Sequence, residues 1–298
     1  MYNKKLFIPF SAICALLALF AGAWAQKNDS TGDRIKDAIR GFRGTVSVYA
    51  KNLDTGRTYS LRGDERVRTA STIKLPIMIE AYFQIAEGKL TWADEIVLTR
   101  EKKAGGSGVL GEFSDGTKID LRTAVNLMIV VSDNTATNLV LEKVTCDAVN
   151  ARMESLGFPN TKSIRRVFGS EKDSKIASDP VIRNFGLGVS TPKDMVSLLG
   201  LLEDGKLVNG DASKSMLEVL KRQQYKDGIG RNALDTVPVA SKSGTLDRLR
   251  SDVGIAYTRR GRIAMAVTVD DMPVVAYVTD NDGSLLIWKI SEILQETL

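Results

Sequence analysis

The chain has 298 residues, with 41 lysines and arginines against 36 aspartates and glutamates, and no histidine. So mild a positive balance, without a basic cluster interleaved with aromatics, argues against a nucleic-acid partner. With no imidazole and only two cysteines, a zinc hydrolase is disfavoured, and no other metal or organic cofactor is implied.

The first 25 residues read as a targeting segment. Lys4 and Lys5 give a basic start, an apolar run extends from Leu6 to about Trp24, and Ala23-Trp24-Ala25 closes it with a small-x-small cleavage pattern. The mature chain is therefore expected to begin at Gln26, in a secreted or periplasmic setting, free of the membrane. The run is also about as long as a bilayer span, roughly 20 residues, so a retained anchor is the competing reading. The polar Q-K-N-D-S-T-G-D that follows favours cleavage, and Cys14 falls inside the run rather than after it. Cleavage leaves one cysteine, Cys146, and hence no internal disulfide. What remains is long enough for a substantial core in one large domain or two packed ones, expected to act as a monomer.

A short helix is predicted over Asp33–Phe42. Residues 44–53 alternate like a strand, Asp54-Thr55-Gly56 makes a turn, and residues 57–61 form its hairpin partner. The pattern is helical from Thr72 to about Glu87, and residues 88–220 are mostly helical. Within them Leu121, Ala124, Val125 and Met128 share one helix face. The period then changes to two. Val237–Ser243, Asp252–Arg259 and Arg262–Asp270 read as strands, with Arg260-Gly261 as a tight turn and Met272–Val278 as a fourth extended piece. Leu286, Ile290, Ile293 and Leu294 mark a C-terminal amphipathic helix. The expected fold class is α/β (α+β): an antiparallel sheet flanked by N- and C-terminal helices, with a mainly helical domain inserted into it. The sheet domain would comprise 26–70 and 221–298, and the helical domain 71–220.

Three short motifs carry chemistry. Ser71-Thr-Ile-Lys74 places a hydroxyl three residues before an amine, directly ahead of an apolar helix. Alone it is weak, because Ser190-Thr-Pro-Lys193 has the same form and needs only a capping explanation: Thr191 as N-cap, Pro192 at the first helical position and Asp194 completing a capping box. Ser132-Asp133-Asn134 follows the apolar M-I-V-V, where a polar triplet could merely stop one helix and cap the next. Lys242-Ser243-Gly244-Thr245 lies on a predicted strand, where a glycine is costly unless something approaches the backbone closely. Each has a bland reading by itself. Together, in this order, they do not.

With these motifs, and with G-G-S-G-V-L (105–110), L-M-I-V-V-S-D-N-T-A-T-N (127–138) and T-P-K-D-M (191–195), the chain resembles the class A-type serine β-lactamases. These belong to a wider superfamily of penicillin-recognising serine hydrolases, and the resemblance covers nearly the whole mature chain. It implies the β-lactamase/transpeptidase-like fold, an active site in the cleft between the two parts, and Ser71 as nucleophile. Ser71 would sit at a helix N-terminus, where the dipole favours negative charge. Lys74, one turn on, would take its proton if burial and a nearby cation, Lys242, kept the amine partly neutral. Ser132 would pass the proton to the leaving nitrogen. Asn134 would bond the substrate's side-chain amide, and Ser243, Gly244 and Thr245 would line the binding edge, with the hydroxyls of Ser243 and Thr245 on the substrate carboxylate. The N–H groups of Ser71 and Thr245 would form the oxyanion hole. Arg250 resembles a carboxylate-binding arginine, a solvated turn residue being the alternative.

One family element is missing. The loop before the T-P helix contains no E-x-x-L-N, and its glutamate would fall near Val167. Glu171 and Asp173 are the nearby carboxylates, either as substitutes for it or as a solvated loop. The implied function is an exported β-lactamase working through an acyl-enzyme on Ser71. The alternatives are a penicillin-binding D,D-peptidase or esterase with slow deacylation, acting on D-alanyl peptides, and a non-catalytic β-lactam-binding module.

Overall fold

The computed structural model describes residues 31–231 and 237–298. The targeting segment and its cleavage site lie outside the described residues. Among the described residues no helix is long and apolar enough to cross a membrane.

Residues 31–38 are helical (α1). The helix stops short of the expected Phe42 because the chain turns at Gly41, whose φ is 76°. Then come β1 (Thr45–Asn52) and β2 (Thr58–Leu61), the predicted hairpin. Far along the chain lie β8 (Val239–Leu246), β9 (Leu249–Thr258) and β10 (Gly261–Asp270). The five form one antiparallel sheet in the order β2-β1-β10-β9-β8, so strands from both ends of the sequence complete it and β8 is an edge.

Period-two patterning splits β10 between two cores. Ile263, Met265, Val267 and Val269 point to one face, where Ile35 of α1 and Ile287, Ile290 and Leu294 of α8 (Asp282–Thr297) cover them. Ala264 and Ala266 point to the other face, with Ala240, Val253 and Ile255. The small alanines let the helical layer pack closely against the strands. α6 (Pro192–Glu203) lies on β10 and β1, and α7 (Gly210–Lys221) on β8.

Behind that layer stands α2 (Lys74–Ala86), entered through a 3-10 turn over Ala70–Ile73. Its Leu75, Ile77, Met78, Ile79 and Ala81 have no exposed surface, as expected of a helix apolar on all sides. It is enclosed by α3 (Leu121–Val130), α4 (Asn134–Val144) and α5 (Cys146–Ser155). Cys146, at the start of α5, is buried, and its Sγ accepts a hydrogen bond from Ser163 Oγ at 3.3 Å. Short pieces complete the layer: β3 (Val67–Arg68), β6 (Lys162–Ser163) and β7 (Gly188–Ser190) pair as β3-β7-β6, and β4 (Glu95–Val97) pairs with β5 (Lys118–Asp120). Thr191 caps α6, accepting from Asp194 N at 3.0 Å, with Pro192 at the first helical position. The second S-x-x-K is thus a helix start.

Two strand-end expectations are corrected. The β9–β10 turn is Arg259-Arg260, because Gly261 already pairs with Thr258 and takes a φ of 129°. Met272–Val278 is not a strand. β10 is flanked by β1 and β9, so the chain leaving it has no edge to join, and Asp271 (φ 56°) turns it outward. Val274, Val275, Tyr277 and Val278 are left exposed.

Asp133 ties the helical layer together. Its Oδ1 accepts from Ala136 N at 2.8 Å and caps α4, while Oδ2 accepts from both Val109 N and Leu110 N at 2.7 Å. A Cβ on Gly108 would lie 2.3 Å from this carboxylate, so the loop approaches it only as glycine. Asp133→Ala is expected to orphan three backbone donors and cost at least about 3 kcal/mol of unfolding free energy, measured by urea denaturation.

Candidate active site

The 3-10 turn and the β8 edge are built against each other. A Cβ on Gly244 would stand 2.7 Å from Thr69 O and 3.0 Å from Ser71 N. The glycine predicted to admit a close neighbour therefore admits the backbone of the Ser71 turn. The turn itself is strained, since Ala70 has a φ of 47°, a conformation costing on the order of 1 kcal/mol or more for a residue with a Cβ. Ser71 sits in this turn, just ahead of α2, and half-exposed on a cleft of about 800 Å³.

Lys74 and Lys242 lie behind the cleft surface, both with no exposed area. They meet at one hydroxyl. Ser132 Oγ is 3.1 Å from Lys74 Nζ and 3.0 Å from Lys242 Nζ. Lys74 Nζ also donates to Ser132 O at 2.6 Å and to Asn134 Oδ1 at 3.0 Å, and Lys242 Nζ donates to Ser243 O at 2.7 Å. Ser132 is presented to both amines by a φ of 53°. Burial, then the charge of Lys242, holds the Lys74 amine well below the usual lysine range, against an upward pull from Asp133. Lys242 is pushed down to about 7 by burial, against the opposing pull of Asp252.

These bonds suit a neutral Lys74. Ser132 O and Asn134 Oδ1 are acceptors and take its two N–H bonds, leaving the lone pair for the Ser132 hydroxyl proton. A charged Lys242 then donates to Ser132 Oγ. Among the described residues the Ser71 hydroxyl has no hydrogen bond, and the Lys74 amine is linked to Ser132 and Asn134.

The remaining predicted residues fall on both walls. Asn134 gives one amide N–H to Gly105 O at 2.9 Å. Ser243, Gly244 and Thr245 line the cleft along the β8 edge, and Arg250 lines it opposite Thr245, its register partner. Arg250 is buried, not a solvated turn residue. Its Nη1 donates to Leu246 O and Leu249 O, both at 2.7 Å, and its Nη2 to Ala276 O.

Glu171 and Asp173 are not brought to the cleft. Glu171 is exposed on the loop. Asp173 holds the loop from within, accepting from Arg166 N and Ser170 N, both at 3.0 Å, and pairing with the Arg166 guanidinium at 2.8 Å. Val167, the position expected for the family glutamate, lines the cleft and is clamped by Asn138, whose Oδ1 accepts from Val167 N and whose Nδ2 donates to Val167 O.

Sequence reasoning missed the acids on the sheet side of the cleft, Asp227, Asp247 and Asp252. Asp252 is buried on β9, bonded through Oδ2 to Ile229 N at 2.9 Å, while Oδ1 has no hydrogen-bond partner among the described residues. Burial raises its carboxyl to about 7. Its register partner is Ser243, so the K-S-G strand pointed to it once the neighbouring strand was aligned. Among the described residues no cluster of acids and cysteines could hold a metal ion.

Comparison with known proteins bears on the family and the fold. A profile of the beta-lactamase enzyme family matches residues 30–298. Beta-lactamase SME-1 of Serratia marcescens is 25% identical over 217 residues, 70% of this chain and 69% of the relative. The crystal structure of a beta-lactamase from Sphaerobacter thermophilus superposes with a TM-score of 0.78 at 30% identity, covering 90% of this chain and 97% of that one. The structure of PBP-A shares the fold, with a TM-score of 0.77 at 22% identity over 90% and 95% of the two chains. The chain belongs to the beta-lactamase enzyme family.

Proposed function

We propose that the protein is an exported serine hydrolase that opens β-lactam amides through an acyl-enzyme on Ser71. The carrying observation is the buried pair of lysines sharing the Ser132 hydroxyl. In this reading Ser71 turns its hydroxyl onto the Lys74 amine, since hydrogen bonds of a resting site often tighten only with substrate. Ser71 Oγ bonds the lactam carbonyl carbon as its proton passes to Lys74. Ser132 relays a proton to the ring nitrogen as the C–N bond breaks. The N–H groups of Ser71 and Thr245 hold the oxyanion, drawn together by the contact at Gly244. The hydroxyls of Ser243 and Thr245 meet the substrate carboxylate, while Lys242, buried behind them, steadies Ser132 and raises the positive potential. Arg250, occupied by backbone carbonyls, supports that edge.

Val167 favours a second reading for the later step, a D-alanyl peptidase that β-lactams trap as a slowly hydrolysed adduct. From the loop, the cleft is lined by Arg165, Val167, Phe168, Arg183, Gly186 and Leu187, and none is a carboxylate able to activate water. A chromogenic cephalosporin followed by absorbance and intact mass together separates the readings. Sustained turnover supports hydrolysis, and a stoichiometric burst with a lasting adduct supports the peptidase. Neither signal would leave a binding module. Ser71→Ala should remove both burst and adduct, and an unchanged adduct would move the nucleophile elsewhere.

Val167→Glu should speed adduct loss by about 10²-fold, the scale of a positioned general base, with Val167→Gln as the uncharged control. Equal adduct lifetimes in the two variants would show that no water is activated from this position.

Acylation should also fall as pH rises through about 7, where Lys242 loses its proton. The titratable groups coupled to it are Lys74 and Asp252. Lys242→Arg, which stays charged, should move this alkaline limb upward in the pH profile of adduct formation. A limb left in place would assign it to another group.

A further inference from the structure

The two walls of the cleft differ in charge. The sheet side presents Asp227, Asp247 and Asp252, with Arg250 among them. The loop side presents Arg165 and Arg183 and no carboxylate. Neither arginine forms an ion pair among the described residues, although Arg166 beside them is neutralised by Asp173. Arg165 is half-buried and fixed from behind: Nε donates to Gly186 O at 3.1 Å and Nη2 to Arg183 O at 2.6 Å. That leaves the remaining N–H groups of a pre-oriented guanidinium without acceptors. Arg183 is exposed beside it.

Apolar surface adjoins this pair. Phe168 lines the same wall at 82% exposure, held out by a φ of 54°, and Tyr225 stands across the mouth, its hydroxyl accepting from Ser107 Oγ at 3.4 Å. Asn134, expected to hold the acyl-side amide, lines the cleft with them. Uncompensated cations in a concave wall focus field on an incoming anion, and an arginine already held in place loses little freedom on binding it.

We propose that Arg165 and Arg183 form a second anion subsite, which receives a carboxylate carried on the acyl-side substituent of the substrate. The inference rests on acyl transfer at Ser71 and narrows its substrate class: acyl donors with an acidic group beyond the reacting carbonyl. That chemistry is offered by a β-lactam with a carboxylated side chain or by a D-alanyl peptide whose preceding residue is acidic.

The test compares matched pairs. Adduct formation is timed by intact mass for benzylpenicillin and its α-carboxylated analogue. D-Alanine release is timed for acyl-D-alanyl-D-alanine peptides preceded by glutamate or by glutamine. The charged member of at least one pair should react about tenfold faster, the scale of a charge-assisted hydrogen bond. Which pair shows it identifies the source of the anion. The charged-to-neutral ratio should approach unity in Arg183→Ala and in Arg165→Gln, and shrink with added salt. Being a ratio within one preparation, it is independent of the folded fraction. Equal rates within both pairs in the wild type, or a ratio unchanged in both variants, would overturn the subsite while leaving acyl transfer intact. Absence of any Ser71 adduct and of any D-alanine release would instead overturn acyl transfer, and the subsite with it.

Discussion

Two lysine amines buried without a carboxylate hydrogen-bonded to either, sharing one serine hydroxyl, set the terms for the rest of the site. Removing an ammonium from water costs several kcal/mol, and a second cation beside it adds repulsion. The protein meets that cost by keeping one amine short of a full charge and by giving both amines oxygen partners from Ser132, Asn134 and Ser243. Three local features bear on this meeting. Ser132 holds a left-handed backbone, Asp133 pins the Gly108–Leu110 loop against the start of α4, and Gly244 lets the sheet edge close on the Ser71 turn.

The arrangement also divides the chemistry between the two sides of the cleft. The proton-handling groups come from the α2 entrance, the α3–α4 junction and the β8 edge, all anchored in cores that leave them little freedom. The loop side is held differently, by Asp173 on Arg166 and by Asn138 on Val167. It is ordered by polar contacts with its own residues and with α4 and by a small apolar cluster around Ile164, Ala177 and Val189, and it offers apolar and cationic surface to the cleft. In the proposed reading, acyl transfer falls to the first side. What the site binds beside the acyl bond, and how quickly it releases it, depends on the other.

Much of this was legible in the residues, for physical reasons. Strand alternation in β1, β9 and β10 reflects burial on two faces. The three motifs could be read because each combines a polar group with a local backbone demand: a helix entrance, a helix junction and a strand glycine. Long-range partners could not be read. That Lys74 turns to Ser132 rather than Ser71 depends on how α2 and the α3–α4 junction pack, which no spacing encodes. Asp252 was hidden because a carboxylate within an apolar strand gives no local signal of the neighbour it faces. Met272–Val278 misled for the opposite reason. Its composition suits a strand, but topology had already used both edges of β10.

The placement of Cys146 has a practical meaning. It is the free cysteine among the described residues, and burial lifts its thiol to about 11, so at neutral pH it is neither accessible nor appreciably a thiolate. Alkylating reagents and dye maleimides should therefore pass it by while the fold is intact. A cysteine introduced at an exposed position such as Phe168 would take a fluorophore without first removing Cys146, and the rim of the cleft could then be watched as it fills and empties.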